Sequence, residues 1–364
     1  MLSRVHDMQG VEHGMVEVPS AETAALRTDV PSAETVAVSA TPMQPLGALV
    51  SGLDFSSPVD PASSAEMRKL LRKHGLLLLR GHSEAQPETL LSFASIFCAR
   101  DSLMNPARCP QFAASAGGLP SFPMIRSLGT DNDSSLCRIG YNWHGDGSHL
   151  TLLFCVQAPE TGGETLFISA SDLYNCLPEE KRRLAQSARV SYSNRHTAGG
   201  TIAEDCEHGL RMNATGTRVT RPASTRESDW HLSQSPAWPL LVGSCHHRRL
   251  LLSPKNLDHF QLRAEDGSWQ TLNHEESLNL AEEFLLPGLQ PIDVAAVDDD
   301  LLTVGRTKFG PLVFEHHWQA GDLIVWDNYG LLHTTTPSCL YEGQSRKMLQ
   351  LMFSGELLTE TPWK

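Results

Sequence analysis

The chain has 364 residues, of which 40% are hydrophobic and 20% are charged, and its formal net charge is −13. This length fits one large domain or two small ones. The acidic balance argues against a nucleic acid or an anionic membrane as the main partner, because both select basic surfaces. We therefore expect a small-molecule partner, no nucleic acid and no membrane, and we leave a homo-oligomer open.

Targeting signals and paired cysteines are both missing from the sequence pattern. No apolar stretch reaches the roughly 18 residues that a membrane-spanning helix needs. The first residues carry several acids and no apolar segment, which fits neither a secretory signal nor a transit peptide. The eight cysteines are scattered, without a Cys-x-x-Cys pair, as is typical of reduced cysteines. These features predict a cytoplasmic protein.

Residues 1–42 differ in composition from the rest of the chain. They are rich in Ala, Glu, Ser, Thr and Val, and the segment VPSAET occurs at Val18–Thr23 and again at Val30–Thr35. We predict a flexible N-terminal tail over 1–42. A folded domain is predicted over 43–364, with an insertion at about 190–236, where the sequence is polar and irregular.

The first part of the folded domain predicts a strand near Pro45, followed by a helix. Ser63 and Glu66 form a capping box at the start of that helix. The four-leucine run Leu76–Leu79 is typical of a buried strand, and a second helix covers about 87–97. The segment 100–137 is rich in Gly, Pro, Ser and Asp, which predicts a long loop with a possible role as an active-site lid.

The rest of the sequence predicts mainly strands, with helices over about 171–184 and 275–285. The predicted strands are about 138–144, 150–157, 164–168, 240–242, 250–252, Leu312–Trp318, Asp322–Trp326, Leu331–Thr335 and Lys347–Phe353. Many strands with few helices between them favour a mainly β fold with flanking helices, built as an antiparallel barrel or sandwich.

The segment Trp143-His144-Gly145-Asp146 carries the clearest candidate site. Residues i and i+2 of a strand project to the same side, so His144 and Asp146 offer an imidazole and a carboxylate to one point. With one more histidine they would form the facial triad of non-haem Fe(II) oxygenases, whose open positions take O2 and a cosubstrate. His333, which follows a polar corner at Asp327-Asn328, is the best third ligand.

The His-x-Asp pair alone is weak evidence, since the chain has 16 histidines and such a pair is more often a surface or hydrogen-bonded histidine. The adjacent pairs His246-His247 and His316-His317 are weaker metal candidates, because neighbours in a strand face opposite ways.

Five separate segments in order resemble the taurine dioxygenase-like family of Fe(II)/2-oxoglutarate oxygenases. They are Pro45–Asp54, His74–Gly81, Trp143–Ser148 with its Trp-His-x-Asp-x-Ser pattern, Ala158–Phe167 with its Gly-Gly-x-Thr-x-Phe pattern, and Trp318–His333 with its Trp-Asp-Asn corner. The resemblance spans about residues 45–355. It implies a double-stranded β-helix, or jelly roll, which agrees with the predicted strands.

The resemblance also implies roles for individual residues. It makes His144, Asp146 and His333 the ligands of Fe(II), with O2 and 2-oxoglutarate as cosubstrates, and it makes Thr165 a contact of one 2-oxoglutarate carboxylate. Related halogenases have a small residue in place of the carboxylate ligand. The presence of Asp146 therefore points to hydroxylation or desaturation.

One position departs from the family pattern. The family ends in a strand of pattern Arg-x-Met-His-Arg, and the resemblance implies that its second arginine binds the 2-oxoglutarate C5 carboxylate. Here the run is Arg346-Lys-Met-Leu-Gln350, so Gln350 stands at the cosubstrate position without a charge. Arg346 lies four residues away, roughly 13 Å along a strand, and is expected to be a surface or substrate-side residue. The other cations considered are Arg195, Arg221, Arg248 and Arg249.

Three functions remain open on the sequence. The first is an Fe(II)/2-oxoglutarate-dependent dioxygenase that hydroxylates or desaturates a small organic substrate, in which the iron supplies the redox chemistry. The second is an Fe(II) oxygenase that does not use 2-oxoglutarate, with Gln350 serving a substrate that chelates the metal. The third is a non-catalytic ligand-binding relative. The substrate itself is not readable from the sequence.

Overall fold

The structure, a computed structural model, describes residues 38–53, 58–83, 85–98, 118–129, 143–146, 148–160, 162–192, 237–243, 248–254, 257–289, 310–336 and 345–353. The helices are α1 (Pro61–His74), α2 (Pro87–Ala94), α3 (Ala170–Cys176), α4 (Glu179–Ser187) and α5 (His274–Leu289). No helix of these described ranges is long and apolar enough to cross a membrane.

Strands make up most of the remaining regular structure. They are β1 (Ser39–Pro42), β2 (Ala48–Ser51), β3 (Leu76–Leu79), β4 (Gly118–Leu119), β5 (Phe122–Gly129), β6 (Leu150–Gln157), β7 (Thr165–Ser169), β8 (Arg189–Tyr192), β9 (Trp238–Pro239), β10 (Leu241–Val242), β11 (Arg249–Leu250), β12 (Leu257–Arg263), β13 (Trp269–Thr271), β14 (Val313–His316), β15 (Leu323–Asp327), β16 (Leu331–Thr335) and β17 (Lys347–Phe353). The predicted mainly β fold with flanking helices is confirmed in this coarse form.

Two sheets position the candidate site. The larger sheet has the strand order β1-β2-β3-β15-β6-β17-β5-β4, and the smaller has the order β14-β7-β16. Every neighbouring pair is antiparallel except β2 and β3. A further sheet, β13-β12-β8-β9, and the pair β10-β11 lie outside these two.

The four-leucine strand β3 shows how the sequence builds the core. All four residues are buried, with Leu76 and Leu78 in one cluster and Leu77 and Leu79 in another. The cluster of Leu77 and Leu79 includes residues of α1 and α2. The cluster of Leu76 and Leu78 includes Phe167 of the smaller sheet, so it lies between the two sheets. An apolar run without alternation therefore marks a strand that is covered on both faces.

The helices differ from prediction at their ends. Asp60, not Ser63, caps α1: its carboxylate accepts hydrogen bonds from the backbone N–H groups of Ala62 and Ser63, at 2.8 and 3.0 Å. Pro61 then occupies the first helical position, where its fixed φ is favourable. The helix predicted over 171–184 is two helices, α3 and α4, because Pro178 cannot continue the first one.

The predicted loop over 100–137 is wrong at Phe122–Gly129, which forms β5 and pairs with β17. Because β5 contains a proline and several polar residues, its own sequence does not indicate a strand. Its regular structure comes from pairing with β17. Gly129 permits this pairing, since a Cβ there would lie 2.4 Å from the backbone oxygen of Arg346. Strand β1 (Ser39–Pro42) lies within the predicted tail 1–42 and pairs with β2. Most of the predicted insertion at 190–236, and residues 138–142 of the strand predicted at 138–144, lie outside the described residues.

Candidate metal centre

The backbone brings two of the three predicted ligands together directly. His144 and His333 form an antiparallel bridge in which each backbone N–H donates to the other's carbonyl oxygen, at 2.9 Å in both directions. Because residues directly opposite on antiparallel strands share a face, both imidazoles lie on the same side, with ring centroids 4.2 Å apart. His144 therefore extends the smaller sheet beyond β16.

Asp146 completes the group. Its two carboxylate oxygens lie 3.7 Å from Nε2 of His144 and 3.8 Å from Nε2 of His333. One ligand atom from each of the three residues lies within 4.8 Å of the other two. Two neutral imidazoles and one carboxylate at such spacing fit one divalent transition metal with open positions on the other side. The three residues singled out from the sequence are thus brought to one point.

A closed set of hydrogen bonds centred on Asn328 positions Asp146. The Asn328 Oδ1 atom accepts from the backbone N–H of Asp146 and from the indole N–H of Trp326, at 3.2 and 2.8 Å. The Asn328 Nδ2 atom donates to the Thr151 hydroxyl at 2.9 Å, and that hydroxyl donates to Asp146 Oδ2 at 2.6 Å. The polar corner predicted from the sequence therefore holds the Asp146 carboxylate as well as its own loop.

Aromatic rings form the wall beside His333. The ring of Trp326 lies edge-on to His333 at 4.9 Å between centroids, and that of Phe167 lies at 6.0 Å. Both aromatic side chains are essentially fully buried. They keep water from this side of the imidazole and restrict its rotation.

Thr165 lies at the start of β7, two residues before Phe167. It is buried, and its Oγ1 accepts a hydrogen bond from the indole N–H of Trp318 at 2.9 Å. With that acceptor position used, the hydroxyl proton remains available for donation to a ligand oxygen. His316, directly opposite Thr165 in β14, packs edge-on against Trp318 at 4.5 Å.

A buried contact between His316 and Asp322 supports this part of the site. The Nε2 atom of His316 lies 3.1 Å from Asp322 Oδ2, and both side chains are almost fully buried. Arg80 approaches the other Asp322 oxygen at 3.4 Å. Burial lowers the pKa of His316 below its ordinary value, although Asp322 opposes the shift.

Gln350 lies in β17, and Arg346 immediately precedes that strand. Arg346 is half-buried, and its Nε is fully buried and would be 3.2 Å from a Cβ placed on Gly163. Gly163 precedes Thr165 by two residues, so the arginine extends towards β7. The expectation that Arg346 is a surface or substrate-side residue does not describe this position. Gln350 is opposite Leu153 of β6.

The other predicted cations have different positions. Arg248 donates to the Tyr174 hydroxyl at 3.1 Å, and Arg249 pairs with Asp327 at 3.2 Å. Arg195 and Arg221 lie outside the described residues. Burial raises the pKa of the inward-facing Cys155 to about 12, although Arg346 opposes the shift, so this thiol stays neutral.

The second histidine pair behaves as expected for adjacent strand residues. His316 points into the core, whereas His317 is 70% exposed and lies 3.5 Å from Glu164 and 3.4 Å from Glu315. The two carboxylates face different ring nitrogens, and one possible ligand atom from each of the three residues lies within 4.8 Å of the other two. His246 and His247 lie outside the described residues.

The model of a family described as taurine catabolism dioxygenase TauD, TfdA family matches residues 39–279 and 310–352. The chain belongs to this family. Its matched segments contain Trp143–Asp146, Thr165, the Trp-Asp-Asn corner, His333 and Gln350. Every site residue predicted from the sequence therefore falls inside the TauD/TfdA match.

Several curated relatives and solved structures agree with the TauD/TfdA assignment. Pentalenolactone F synthase of Streptomyces arenae is 26% identical over 81% of this chain and 88% of its own length. An alkylsulfatase of Acinetobacter baylyi is 22% identical over 86% and 84%. The crystal structure of AAD-2 in complex with Mn(II) and N-oxalylglycine is 17% identical, with a TM-score of 0.56 over 87% of this chain and 97% of that one. A taurine dioxygenase from Burkholderia xenovorans is 16% identical, with a TM-score of 0.51 over 87% and 90%. At these identities the structural likeness shows the fold alone.

Three residues of the site were not assigned to it from the sequence. Thr151 carried no signal beyond its place in a predicted strand, and Trp318 was noted only as the first residue of a segment that resembles the family. The roles of both depend on pairing between distant segments. Arg346 was considered and set aside on distance along the strand, which ignores the length of its side chain.

Proposed function

We propose that this TauD/TfdA-family protein is a non-haem Fe(II)- and 2-oxoglutarate-dependent dioxygenase that hydroxylates or desaturates a small organic substrate. The grouping of His144, Asp146 and His333 within 4.8 Å carries this proposal. The carboxylate ligand is present, so the site matches the facial triad of the oxygenases.

We assign the two sheets to a jelly roll. The chain passes from β5 in the larger sheet to His144 beside the smaller, then to β6, β7 and β14. It continues through β15, β16 and β17, alternating between the sheets. Eight segments in two facing antiparallel sheets are the jelly-roll arrangement.

In this function His144, Asp146 and His333 would hold Fe(II). The bound metal supplies the redox chemistry with O2 and 2-oxoglutarate. The Asn328 network keeps Asp146 oriented towards the metal position, and such supporting bonds are typical of metal sites. Trp326 and Phe167 exclude water from the His333 side.

For 2-oxoglutarate we propose a different cation from the one expected at position 350. Thr165 donates its hydroxyl proton to the distal carboxylate, and Arg346, which lies against the segment leading into Thr165, supplies the charged hydrogen bonds. Gln350 is then free for another role. This reading removes the main reason for an oxygenase that does not use 2-oxoglutarate.

The proposal is tested by following succinate release and O2 uptake with purified protein, Fe(II), ascorbate and 2-oxoglutarate, with and without candidate substrates. Succinate that depends on both Fe(II) and O2 supports the proposal. Oxygen uptake without succinate would favour the oxygenase that does not use 2-oxoglutarate. Failure to bind Fe(II) would favour a non-catalytic relative.

A further inference from the structure

The outward face of the smaller sheet carries a second group of possible metal ligands. Glu315 of β14 and His317, just beyond it, are two residues apart, so they project to the same side. The pairing of β14 with β7 places His316 opposite Thr165, and one further step in this register places His317 opposite Glu164. The neighbours of His317 on its own face are therefore carboxylates, whereas His316 lies on the inward face.

The distances within this group suit ligands around a metal. The Nδ1 atom of His317 is 3.5 Å from an oxygen of Glu164, and its Nε2 atom is 3.4 Å from an oxygen of Glu315. Both distances exceed the length of an N–H···O hydrogen bond, which is about 2.7–3.2 Å. They are close to the separation of about 3.3 Å between two atoms that each lie about 2.0 Å from a tetrahedral Zn(II). The exposed imidazole can rotate to present either nitrogen to such an ion.

The Glu164 carboxylate is held in one orientation by its neighbours on β16. It is more than nine-tenths buried, and its Oε2 atom accepts a hydrogen bond from the Thr336 hydroxyl. The backbone carbonyl of Glu164 accepts from the N–H of Thr336 at 2.9 Å and from the Thr335 hydroxyl at 3.1 Å. The other carboxylate oxygen, Oε1, faces His317. Supporting hydrogen bonds of this kind are typical of carboxylates that bind metals.

The charge of the group favours a cation. Within the part of the chain that the structure describes, no lysine or arginine forms an ion pair with Glu164 or Glu315. Burial raises the pKa of Glu315 above its ordinary value, and although His317 opposes this shift, the negative charge of Glu164 adds to it. Removing charge from water is costly unless an opposite charge lies close by. A divalent cation would compensate both carboxylates at once.

A buried hydroxyl on the same face gives independent evidence for a ligand. Thr334 and Glu315 are both opposite Leu166, from the two strands that flank β7, so Thr334 is a diagonal neighbour of Glu164 on one face. Thr334 is 1% exposed, and its Oγ1 atom has no hydrogen-bond partner among the residues that the structure describes. Buried hydroxyls are normally hydrogen-bonded. A water on a metal ion held by Glu164 would supply the missing partner.

We propose that Glu164, Glu315 and His317 form a second metal site, which binds Zn(II) through one imidazole nitrogen and two carboxylate oxygens. Both ligand types are common for zinc, and three protein ligands leave a position for water. Fe(II) stands near the weak end of the affinity order of the divalent metals, so this exposed set should select against it. The ion would join β14 to β7 beside Thr165 and stabilise that end of the smaller sheet. The site does not depend on the proposed function.

The test is calorimetric titration of Zn(II) into the full chain, without Fe(II) or 2-oxoglutarate. Wild type is compared with His317→Ala and Glu315→Gln, which change side chains that are not fully buried, and with His259→Ala as the matched control. His259 also lies beside a carboxylate, at 2.9 Å from Asp258, but belongs to neither three-ligand group found among the described residues. The same changes are repeated in His333→Ala, whose metal centre lacks a ligand.

We expect wild type to bind Zn(II) both at the metal centre and at the second site. His317→Ala and Glu315→Gln should each weaken one of these binding events by at least about tenfold, which corresponds to about 1.4 kcal/mol, and leave the other unchanged. His259→Ala should keep both. In His333→Ala, the remaining binding of Zn(II) should be lost when His317→Ala or Glu315→Gln is added.

Unchanged Zn(II) binding in either His317→Ala or Glu315→Gln would overturn the proposed second site. So would the absence of Zn(II) binding by His333→Ala, provided that it unfolds in urea at the same midpoint as wild type. The comparison within the wild-type background does not depend on the folding of His333→Ala. Fe(II) binding and succinate release test the proposed function separately, so the failure of one proposal is distinguishable from the failure of the other.

Discussion

The two ends of the inward face of the larger sheet are built in different ways. Around Asp146, short side chains are fixed by a closed set of hydrogen bonds through Asn328 and Thr151. Around Arg346 and Gln350, long side chains reach the site from positions set only by strand register. The metal end is held by local hydrogen bonds, whereas the proposed anion-binding end depends on strand register.

The largest effect is expected from removing a ligand at the metal end. His333→Ala should abolish Fe(II) binding, because only two proposed ligands, His144 and Asp146, would remain and water would fill most positions around the metal. Its activity should fall by more than the roughly 10- to 100-fold typical of losing a supporting residue. Calorimetric titration with Fe(II) measures this, and His317→Ala, which changes an exposed histidine, is the matched control. Equal loss in both variants would point to the His317 cluster.

A smaller effect is expected from Asn328→Ala. The change removes bonds to the backbone of Asp146, to Trp326 and to Thr151, so Fe(II) affinity should fall by about 10- to 100-fold. Thr151→Ser keeps the hydroxyl and should retain most of the affinity. Urea unfolding of both variants separates lost metal affinity from lost stability. If Asn328→Ala binds Fe(II) as tightly as wild type, the network has no role in positioning Asp146.

At the anion-binding end, Trp318→Phe tests the orientation of Thr165. Losing one neutral hydrogen bond of about 1 kcal/mol should raise the KM for 2-oxoglutarate several-fold and leave Fe(II) affinity and kcat close to wild type. Trp269→Phe, whose indole lies under Arg189 in another sheet, is the control. A fall in kcat with unchanged KM would contradict a role in cosubstrate binding.

The smallest effect concerns pH. Burial lowers the pKa of His316 in the folded state, so the unfolded chain binds a proton more readily. The stability from the neutral residue is present above the ordinary histidine pKa of about 6.5 and is lost as the pH falls below it. His316→Gln keeps a donor for Asp322 without titrating in this range. Unfolding midpoints are measured from pH 7.5 to pH 5.5, a range chosen to bracket the ordinary histidine pKa of about 6.5. As the pH falls, the midpoint should decrease more in wild type than in the variant. Parallel plots of midpoint against pH would refute the role of His316.

The same contrast explains what the sequence could predict. His144 and Asp146 are two residues apart, and His333 follows a recognisable polar corner, so local motifs were enough for the metal end. Strand β5 lies in a segment predicted as a loop, because it is ordered by pairing with β17 more than by its own composition. Arg346 was set aside because its distance was counted along one strand, whereas its side chain crosses to Gly163.

We propose that Arg346, and not Gln350, binds 2-oxoglutarate at a site next to the iron. The most direct measurement is anaerobic calorimetric titration of 2-oxoglutarate into Fe(II)-loaded wild type, Arg346→Gln and Gln350→Ala. We predict about 10- to 100-fold weaker binding for Arg346→Gln, from the loss of about 1.5–3 kcal/mol of charged hydrogen bonding, and near wild-type binding for Gln350→Ala. Weakened binding in Gln350→Ala with unchanged binding in Arg346→Gln would contradict the assignment of Arg346 to 2-oxoglutarate.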